Sequence, residues 1–551
     1  MADSLLVSSL VAALPIFALL YLLGVLRKPA WIAALSGLGA AVVVAAGFYG
    51  MPIDTMIGSA LYGAAFGLFP IGWVVFAAIL LYRITLETGK FEIVKDSVGS
   101  LTDDRRLQAL LIAFAFGAFI EGAAGFGTPV AVCAAMLAGL GFSPFYAAGI
   151  CLLANTAPVA FGSIGTPILT LAGITGLPLD RLSAGVGRIC APVSLIVPAY
   201  LVMVMGGWKA LRGVLPAAIV CGVSFAGMQL FASNVLGPQL TDILSSLAAI
   251  GSLVILFKVW KPSDSFSLEA EGTMAASAGA SASAASHGKP APKPPAKHYT
   301  SGEIMLAWTP YVLLVVLVLI WSIKPVQAQL ATVNLKFGWP GLHNAIERMP
   351  PVVNAASPYA AEYTFNWLSA TGTVCLIVSI LSAMILGMSP AGFGRVFGKT
   401  VKQLAIPMLT IASVMSLAYL MNYCGATSTL GLAFAATGVT FPFFSAMLGW
   451  LGVFLTGSDT SANALFGNLQ VVTAGRLDLN PVLMAASNSS GGVMGKMISL
   501  SSIAVAAAAT GMKPDEEAKL FRFNMRHSIL LASVLGLITV FYAYVMPQWA
   551  P

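Results

Sequence analysis

Glu121, Asp459 and Lys496 are the only ionisable side chains within three long apolar stretches of the sequence. A charge at the centre of a bilayer costs at least about 2.5–3.5 kcal/mol, so such residues generally have a partner or a function. A carboxyl group takes up and releases a proton, and an ammonium group binds anions. Glu121 and Asp459 are therefore predicted to couple protons, and Lys496 to bind an anionic substrate. The alternative is a buried ion pair, Lys496 with Asp459 or Glu121, that fixes the packing.

Small polar residues accompany these ionisable groups. The hydroxyl and amide side chains concerned are Asn155, Thr156, Ser458, Asn488, Ser489 and Ser490. One cation among several hydroxyls and amides suits a small monoanion that carries a hydroxyl or keto group, because a dianion would call for two or more cations. We predict that these six residues and Lys496 bind the substrate. For any single serine or threonine, a hydrogen bond to the preceding helical turn is an equally good explanation.

The two stretches that hold these residues resemble each other. One reads FGAFIEGAAGFGTP from 116 to 129, and the other reads LGVFLTGSDTSAN from 451 to 463. A second polar break follows each of them, at Asn155 and at Asn488. Glycine and proline interrupt helical hydrogen bonding, and the freed backbone groups are tolerated in a membrane only inside protein or beside a wet cavity. Paired interruptions in two halves of a chain indicate the binding site of a transporter.

The elements that must position these residues are membrane-spanning helices. Hydrophobic residues make up 58% of the 551 residues and charged residues only 9%, whereas a soluble domain carries about 25% charged residues. Long unbroken apolar runs exclude the alternating pattern of a membrane β-barrel, which leaves helices that satisfy their own backbone groups. The predicted crossings are 4–26, 30–50, 54–82, 144–175, 187–207, 213–233, 241–259, 304–323, 367–388, 403–422, 479–510 and 527–546.

Two further apolar stretches fit hairpins better than single crossings. We expect 107–140 to enter the membrane from the cytoplasm and 441–475 to enter from outside. The broken helices 144–175 and 479–510 would then bring their unwound centres beside the hairpin tips. The predicted fold is an all-α polytopic membrane protein with about 12 transmembrane helices and two re-entrant hairpins, in two inverted-topology repeats.

This layout divides the chain into four parts. Residues 1–212 form the first repeat and 302–551 the second, and 213–262 form a helix pair that connects them. The segment 263–301 is rich in alanine, serine and proline, a composition that cannot build a core. It is predicted to be a disordered cytoplasmic linker.

The distribution of basic residues predicts the membrane topology, and the charge, cysteine and histidine patterns exclude several classes of protein. Most of the 28 basic residues fall in loops on one side of this layout, which predicts that side to be cytoplasmic and both termini to be outside. Basic residues dispersed in this way do not form a nucleic-acid-binding face. The six cysteines lack CxxC spacing and the crossings lack paired histidines, so we predict no metal and no cofactor.

Longer strings in the sequence are specific enough to indicate a family. They are EGAAGFG (121–127), NTAPVAFG (155–162), ERMPPVV (347–353), LGWLGVFLTGSDT (448–460) and GKMIS (495–499). Together they resemble the bacterial L-lactate permease family, and the similarity runs essentially end to end apart from the linker. The resemblance implies proton symport of L-lactate, with D-lactate, glycolate and similar short 2-hydroxy monocarboxylates as substrates, across the bacterial cytoplasmic membrane. It also implies kinship with ion-coupled transporters that have inverted repeats and hairpins.

Three other functions remain open from the residues alone. Carbonyl and hydroxyl groups at the breaks could bind sodium, which would make the chain a sodium-coupled carrier of small carboxylates. A channel is less consistent with matched broken repeats, which are typical of alternating access. A membrane enzyme is less consistent still, because GAAGFG at 122–127 lacks the preceding strand of a dinucleotide-binding site.

Overall fold

The computed structural model of this protein describes residues 5–125, 127–264, 266, 299–353 and 355–551. Within these ranges, eleven helices are long and apolar enough to cross a membrane. The only strands among the described residues are four short ones in the segment after the linker. The predicted all-α, polytopic membrane architecture is confirmed.

The first half of the chain consists of helices joined by short turns. The α-helices are Leu5–Gly24, Ala30–Gly47, Ile53–Phe66, Trp73–Glu87, Lys90–Gly99, Arg105–Gln108, Gly117–Ala123, Thr128–Gly139, Pro144–Ala154, Thr166–Thr175, Leu179–Val235 and Thr241–Val259. Two π-helical turns, Gly67–Gly72 and Ala109–Phe116, and a 3-10 turn, Ser163–Gly165, join some of them.

The second half consists of helices and of a small strand region that follows its first two helices. Its α-helices are Ser301–Ser322, Lys324–Ala331, Thr371–Ile385, Pro390–Cys424, Ala426–Phe434, Phe441–Thr456, Asp459–Arg476, Pro481–Lys496, Leu500–Thr510 and Pro514–Val540, with shorter turns at Ala435–Thr440, Phe541–Val545 and Pro547–Trp549. The strands Leu335–Gly338 and Glu362–Phe365 pair antiparallel, and Glu347–Arg348 pairs with Ser357–Pro358.

One helical run contains two predicted crossings. Leu179–Val235 has non-helical backbone at Gly206, Gly207 and Val214, and Gly207 has a φ of 68°, a conformation that favours glycine. The chain reverses here, because a Cβ atom at Gly222 would lie only 2.3 Å from the carbonyl oxygen of Leu195. The two limbs of the run therefore pack antiparallel, as the separate crossings 187–207 and 213–233 require.

Both predicted hairpins are present as pairs of helices around a short turn. Hairpin 1 has Arg105–Ala123 as its first arm and Thr128–Gly139 as its second. Hairpin 2 has Phe441–Thr456 and Asp459–Arg476 as its arms. Gly457 ends the first arm of hairpin 2 with a φ of 72°, the left-handed conformation that commonly terminates helices.

Both predicted broken helices are interrupted, but the second interruption is at 497–499 and not at Asn488 as predicted, because Asn488 lies within the continuous helix Pro481–Lys496. Broken helix 1 consists of Pro144–Ala154 and Thr166–Thr175, and broken helix 2 consists of Pro481–Lys496 and Leu500–Thr510. The first break holds a proline and two glycines in addition to Asn155, and the second is only a few residues long. Each break exposes backbone groups at both of its ends, because the last carbonyls and the first amides of a helix have no partner within it.

The hairpins and broken helices pack crosswise between the two halves. The second arm of hairpin 1 contacts the second part of broken helix 2, and the second arm of hairpin 2 contacts the second part of broken helix 1. The latter contact is close, because a Cβ atom at Gly467 would lie 2.7 Å from Cδ1 of Leu171. A Cβ atom at Gly127 would lie 3.8 Å from Val505 in the other contact. Each half thus completes the surroundings of the other half's hairpin.

Both ends of the predicted linker 263–301 are ordered, which corrects its bounds. Asp264 binds Arg106 at the base of hairpin 1, with Nη1 to Oδ2 at 2.9 Å and Nη2 to Oδ1 at 3.0 Å. The Arg106 side chain is fully buried and also pairs with Asp104 at 2.8 Å. At the other end, the Tyr299 hydroxyl donates to Asp96 at 2.9 Å. Most of the linker, 267–298, lies outside the described residues.

The predicted external segment 325–365 packs on the helices beneath it. The hydroxyls of Tyr62 and Tyr423 donate to the backbone carbonyls of Glu362 and Ala360, at 2.9 and 3.0 Å. The Tyr363 hydroxyl donates in the opposite direction, to the carbonyl of Phe69 at 2.8 Å. Several tyrosine and tryptophan rings meet edge to face at this contact. The segment is therefore an ordered cap.

Candidate functional site

One cavity of about 480 Å³ lies where the hairpin turns meet the helix breaks. Glu121, Asp459 and Lys496 all line it, so the fold brings together three ionisable groups that are far apart in sequence. Leu19, from the first helix, is among the apolar residues that line the same cavity. Ionisable groups from both halves thus share one cavity.

Four helices begin at this cavity. They start at Thr128, Thr166, Asp459 and Leu500, and the cavity wall includes residues at or beside the start of each, namely Gly127, Thr166, Ser458 and Ser501. A helix N-terminus carries unpaired N–H groups and a partial positive charge, which together bind anions. Because the four helices are the second members of the hairpins and broken helices, the crosswise packing brings their N-termini together.

Lys496 supplies the full positive charge. It occupies the last turn of the first part of broken helix 2, where a cation is favoured by the helix dipole. Its Nζ donates to the carbonyl oxygen of Gly457 at 2.7 Å, and its side chain is only partly buried. It interacts electrostatically with both Glu121 and Asp459. The ammonium group therefore lies at the cavity wall within electrostatic range of both carboxyl groups.

Asp459 belongs to a polar network behind the cavity wall. Its Oδ2 atom accepts hydrogen bonds from Ser489 at 2.6 Å and from Asn463 at 3.2 Å. Asn488 donates to Asn463 at 2.9 Å, and Gln470 donates to Asn488 at 3.1 Å. The Oδ1 atom has no hydrogen-bond partner among the described residues. One oxygen is thus held by donors and the other remains available to a ligand or a proton.

Glu121 is more isolated. It is 4% exposed and Asn155 is 3% exposed. Oε2 of Glu121 and both polar atoms of the Asn155 side chain lack a hydrogen-bond partner within the part of the chain that the structure describes. Asn155 interacts with the Glu121 carboxyl group. Buried polar atoms of this kind are rare in folded proteins and mark places where a ligand, ion or water is expected.

The predicted substrate-binding residues occupy two layers. Ser458 and Lys496 line the cavity, while the other five are buried around it, namely Asn155, Thr156, Asn488, Ser489 and Ser490. The Thr156 hydroxyl donates to the carbonyl of Leu153 at 2.7 Å, which is the hydrogen bond within a helical turn that the sequence left open as an alternative.

Asp242 was not predicted from the sequence. It lies in the first turn of the helix Thr241–Val259 and is 2% exposed. A Cβ atom at Gly122 would lie 2.9 Å from Cβ of Asp242, so this carboxyl group lies against the tip of hairpin 1. A lone aspartate after a turn is typical of an ordinary helix start, and the sequence pattern gives no other signal.

The full length of the chain matches known proteins. The family model described as L-lactate permease matches residues 8–546. The chain belongs to the L-lactate permease family. It is 47% identical to the glycolate permease of Escherichia coli, over 98% of this chain and 96% of that protein. It is 46% identical to the L-lactate permease of Bacillus subtilis, over 100% of this chain and 98% of that protein.

A third relative agrees with this assignment, and one solved structure shares the fold. The L-lactate permease of Salmonella typhimurium is 44% identical, over 100% of this chain and 98% of that protein. MtrF of Neisseria gonorrhoeae, described as one of a class of antimetabolite efflux pumps, superposes with a TM-score of 0.51 over 96% of this chain and 97% of its own, at 11% identity. The likeness to MtrF is one of fold alone.

Family membership confirms two predictions. Permeases are transporters, so the chain is a transporter and not an enzyme. It is also a multi-pass membrane protein. The resemblance identified from the five sequence strings is confirmed along the whole chain.

Proposed function

We propose that this transporter imports L-lactate, and also D-lactate and glycolate, across the cytoplasmic membrane together with a proton. The observation that carries the proposal is the single cavity in which Lys496, two carboxyl groups and four helix N-termini meet. Its relatives are named for lactate and glycolate, both of which are short 2-hydroxy monocarboxylates.

The charges of the site suit a monoanion. Lys496 provides one full positive charge, and the four helix N-termini add partial positive charges and N–H donors. The hydroxyls of Ser458 and Ser501 lie in the same wall and match the 2-hydroxyl group of the substrate. We assign the substrate carboxylate to Lys496 and to the helix starts at Asp459 and Leu500, which belong to the same half.

The carboxyl groups suit proton coupling. Glu121 and Asp459 each retain one buried oxygen without a hydrogen-bond partner among the described residues. When both are ionised, an incoming anion meets two negative charges and one positive charge. A proton on one carboxyl group offsets the negative charge that the anion adds, so the loaded site carries no more net charge than the empty site when it moves through the membrane, where an uncompensated charge costs at least about 2.5–3.5 kcal/mol. Anion and proton therefore travel together.

The order of helices supports alternating access. In each half a long bent helix is followed by a short helix, a hairpin, a broken helix and a closing helix. We assign the two series, 1–212 and 302–551, to inverted repeats with both termini outside, and 213–262 to a connecting pair. Movement of one repeat against the other would expose the shared cavity to each side in turn.

The test is uptake of labelled L-lactate by the purified full-length chain in proteoliposomes. A pH gradient of one unit is worth about 1.4 kcal/mol and supports about tenfold accumulation for one proton per anion. We expect this accumulation in the wild type, with competition by D-lactate and glycolate. Glu121→Gln, which cannot release a proton, should abolish it, whereas the exposed Glu87→Gln should not.

Two results would contradict the proposal. If Glu121→Gln concentrates lactate as well as the wild type does, Glu121 has no part in coupling. If wild-type uptake follows a sodium gradient at fixed pH and ignores a pH gradient, the chain is a sodium-coupled carrier instead.

A further inference from the structure

We infer that Asp242 and Glu121 form a shared proton-binding site, in which Asp242 is a coupling residue that lies outside both repeats. The inference rests on the proposed proton symport and assigns the proton to one of its two candidate places. It follows from the position of Asp242, from the scarcity of donors around it, and from the contrast with Asp459.

The first observation is contact between hairpin 1 and the helix Thr241–Val259. A Cβ atom at Gly122 would lie 2.9 Å from Cβ of Asp242 and 2.9 Å from Cγ1 of Ile243. Only glycine permits this approach, and Glu121 is its neighbour in the chain. The two carboxyl groups interact electrostatically across this contact. The tip of hairpin 1 therefore carries a pair of acidic groups and not a single one.

The second observation is that the pair has few hydrogen-bond donors. Both carboxyl oxygens of Asp242 and Oε2 of Glu121 have no partner within the described ranges. Asn155, which interacts with Glu121, is itself unpartnered at both polar atoms of its side chain. An ionised carboxylate buried with few donors is unfavourable, and each of two neighbouring carboxyl groups disfavours the ionisation of the other. Binding of a proton by the pair is thus favoured.

The charged surroundings support the same assignment. Lys496 interacts with Glu121, and Cys190, from the helical run Leu179–Val235, interacts with Asp242. The backbone amide of Gly162, in the break of broken helix 1, faces Asp242. Lys496 also interacts with Asp459, so one ammonium group cannot offset three carboxylates, and this pair is the place that we assign to a neutralising proton.

Asp459 is the natural comparison. It is as buried as Glu121, at 4% exposure, but it accepts hydrogen bonds from Ser489 and Asn463. Donors directed at a carboxylate stabilise its ionised form. The ionised form therefore has more support at Asp459 than at the pair at hairpin 1, and we assign the uptake and release of the proton to the pair.

The experiment compares the full-length wild type with Asp242→Asn in proteoliposomes. Under a pH gradient of one unit we expect about tenfold accumulation of lactate in the wild type and none in Asp242→Asn. Exchange of internal for external lactate at equal pH should persist in the variant, and its rate should no longer vary with pH. Asp180→Asn serves as the control, because Asp180 also lies in the first turn of a helix and is exposed.

The outcomes separate the two proposals. A wild type that does not accumulate lactate under a pH gradient refutes the proposed symport. A wild type that accumulates lactate beside an Asp242→Asn variant with the same accumulation and pH profile refutes the role of Asp242. Loss of exchange as well as accumulation in a correctly inserted variant also refutes a proton-binding role, and indicates a positioning residue.

An infrared measurement on the wild type and two other variants keeps the inference testable if Asp242→Asn fails to insert. Infrared difference spectra between acidic and alkaline pH report the C=O stretch of protonated carboxyl groups. We expect a titrating band that persists in Asp459→Asn and shifts in Glu121→Gln. A spectrum without such a band, or a band lost only in Asp459→Asn, would overturn the inference.

Discussion

Replacement of Lys496 by glutamine tests the proposed anion site most directly. The substitution removes the ammonium group from the cavity wall and keeps a polar side chain with a hydrogen-bond donor. A hydrogen bond to a charged group is worth about 1.5–3 kcal/mol, and this corresponds to about 10- to 150-fold in affinity. The four helix N-termini at the cavity remain, each worth about 0.3–1 kcal/mol to an anion. Lactate should therefore bind more weakly by that factor, without complete loss of binding.

The assay is equilibrium binding of labelled L-lactate to the purified chain by scintillation proximity. Lys496→Arg retains the charge and should recover part of the affinity. Lys399→Gln is the matched control, because Lys399 pairs with Glu87 on an exposed surface. Thermal unfolding of each variant monitors the loss of the hydrogen bond to Gly457, which is a structural effect of the same substitution.

The reasoning fails if the dissociation constant of Lys496→Gln stays within about twofold of the wild type, a difference far below one charged hydrogen bond. It also fails if Lys399→Gln weakens binding as much as Lys496→Gln does. In the first case the helix N-termini alone bind the carboxylate, and Lys496 serves only to neutralise the two acidic groups.

Two further predictions concern the framework of the site. Gly449→Ala should lower the thermal midpoint through overpacking worth about 1–3 kcal/mol, because its Cβ atom would lie 1.8 Å from the carbonyl oxygen of Asn488; Gly475→Ala, with open space around it, should not. The hydrogen bond from Arg106 lowers the pKa of Asp264, so its stabilising effect is present above about pH 4 and is lost as the pH falls through the lowered value. Thermal midpoints measured from neutral to acidic pH should fall more steeply for the wild type than for Asp264→Asn, and parallel curves would contradict this account.

Most of the framework could be predicted because local patterns specify it. Apolar runs indicated the spanning helices, and glycine-rich polar patches marked both hairpin turns and the first break. The patch that begins at Asn488 was misleading, because it lies within the helix Pro481–Lys496. The bends are a further exception. The reversal between the two limbs of Leu179–Val235 falls at Gly206 and Gly207, where the hydrophobic pattern alone gives a loop of uncertain length.

The site was predictable only in part, because some of its residues stand out in the sequence and others are recognised only by their contacts in the fold. Lys496 and Asp459 stand out as charges in apolar surroundings, and both line the cavity. Asp242 follows a turn and starts a helix, so its sequence context is that of a surface residue. Its burial results from contact with Gly122, which lies 120 residues earlier in the chain. A contact of this kind has no signature in a single sequence.

The crosswise packing of the hairpins also restricts which substitutions the protein can accept during evolution. A larger side chain at Gly467 would collide with Leu171, and the space it needs could be released only by a change in the opposite half of the molecule. Whether a substitution is tolerated at this contact in one half therefore depends on the residues of the other half, so the two halves are expected to change together in evolution.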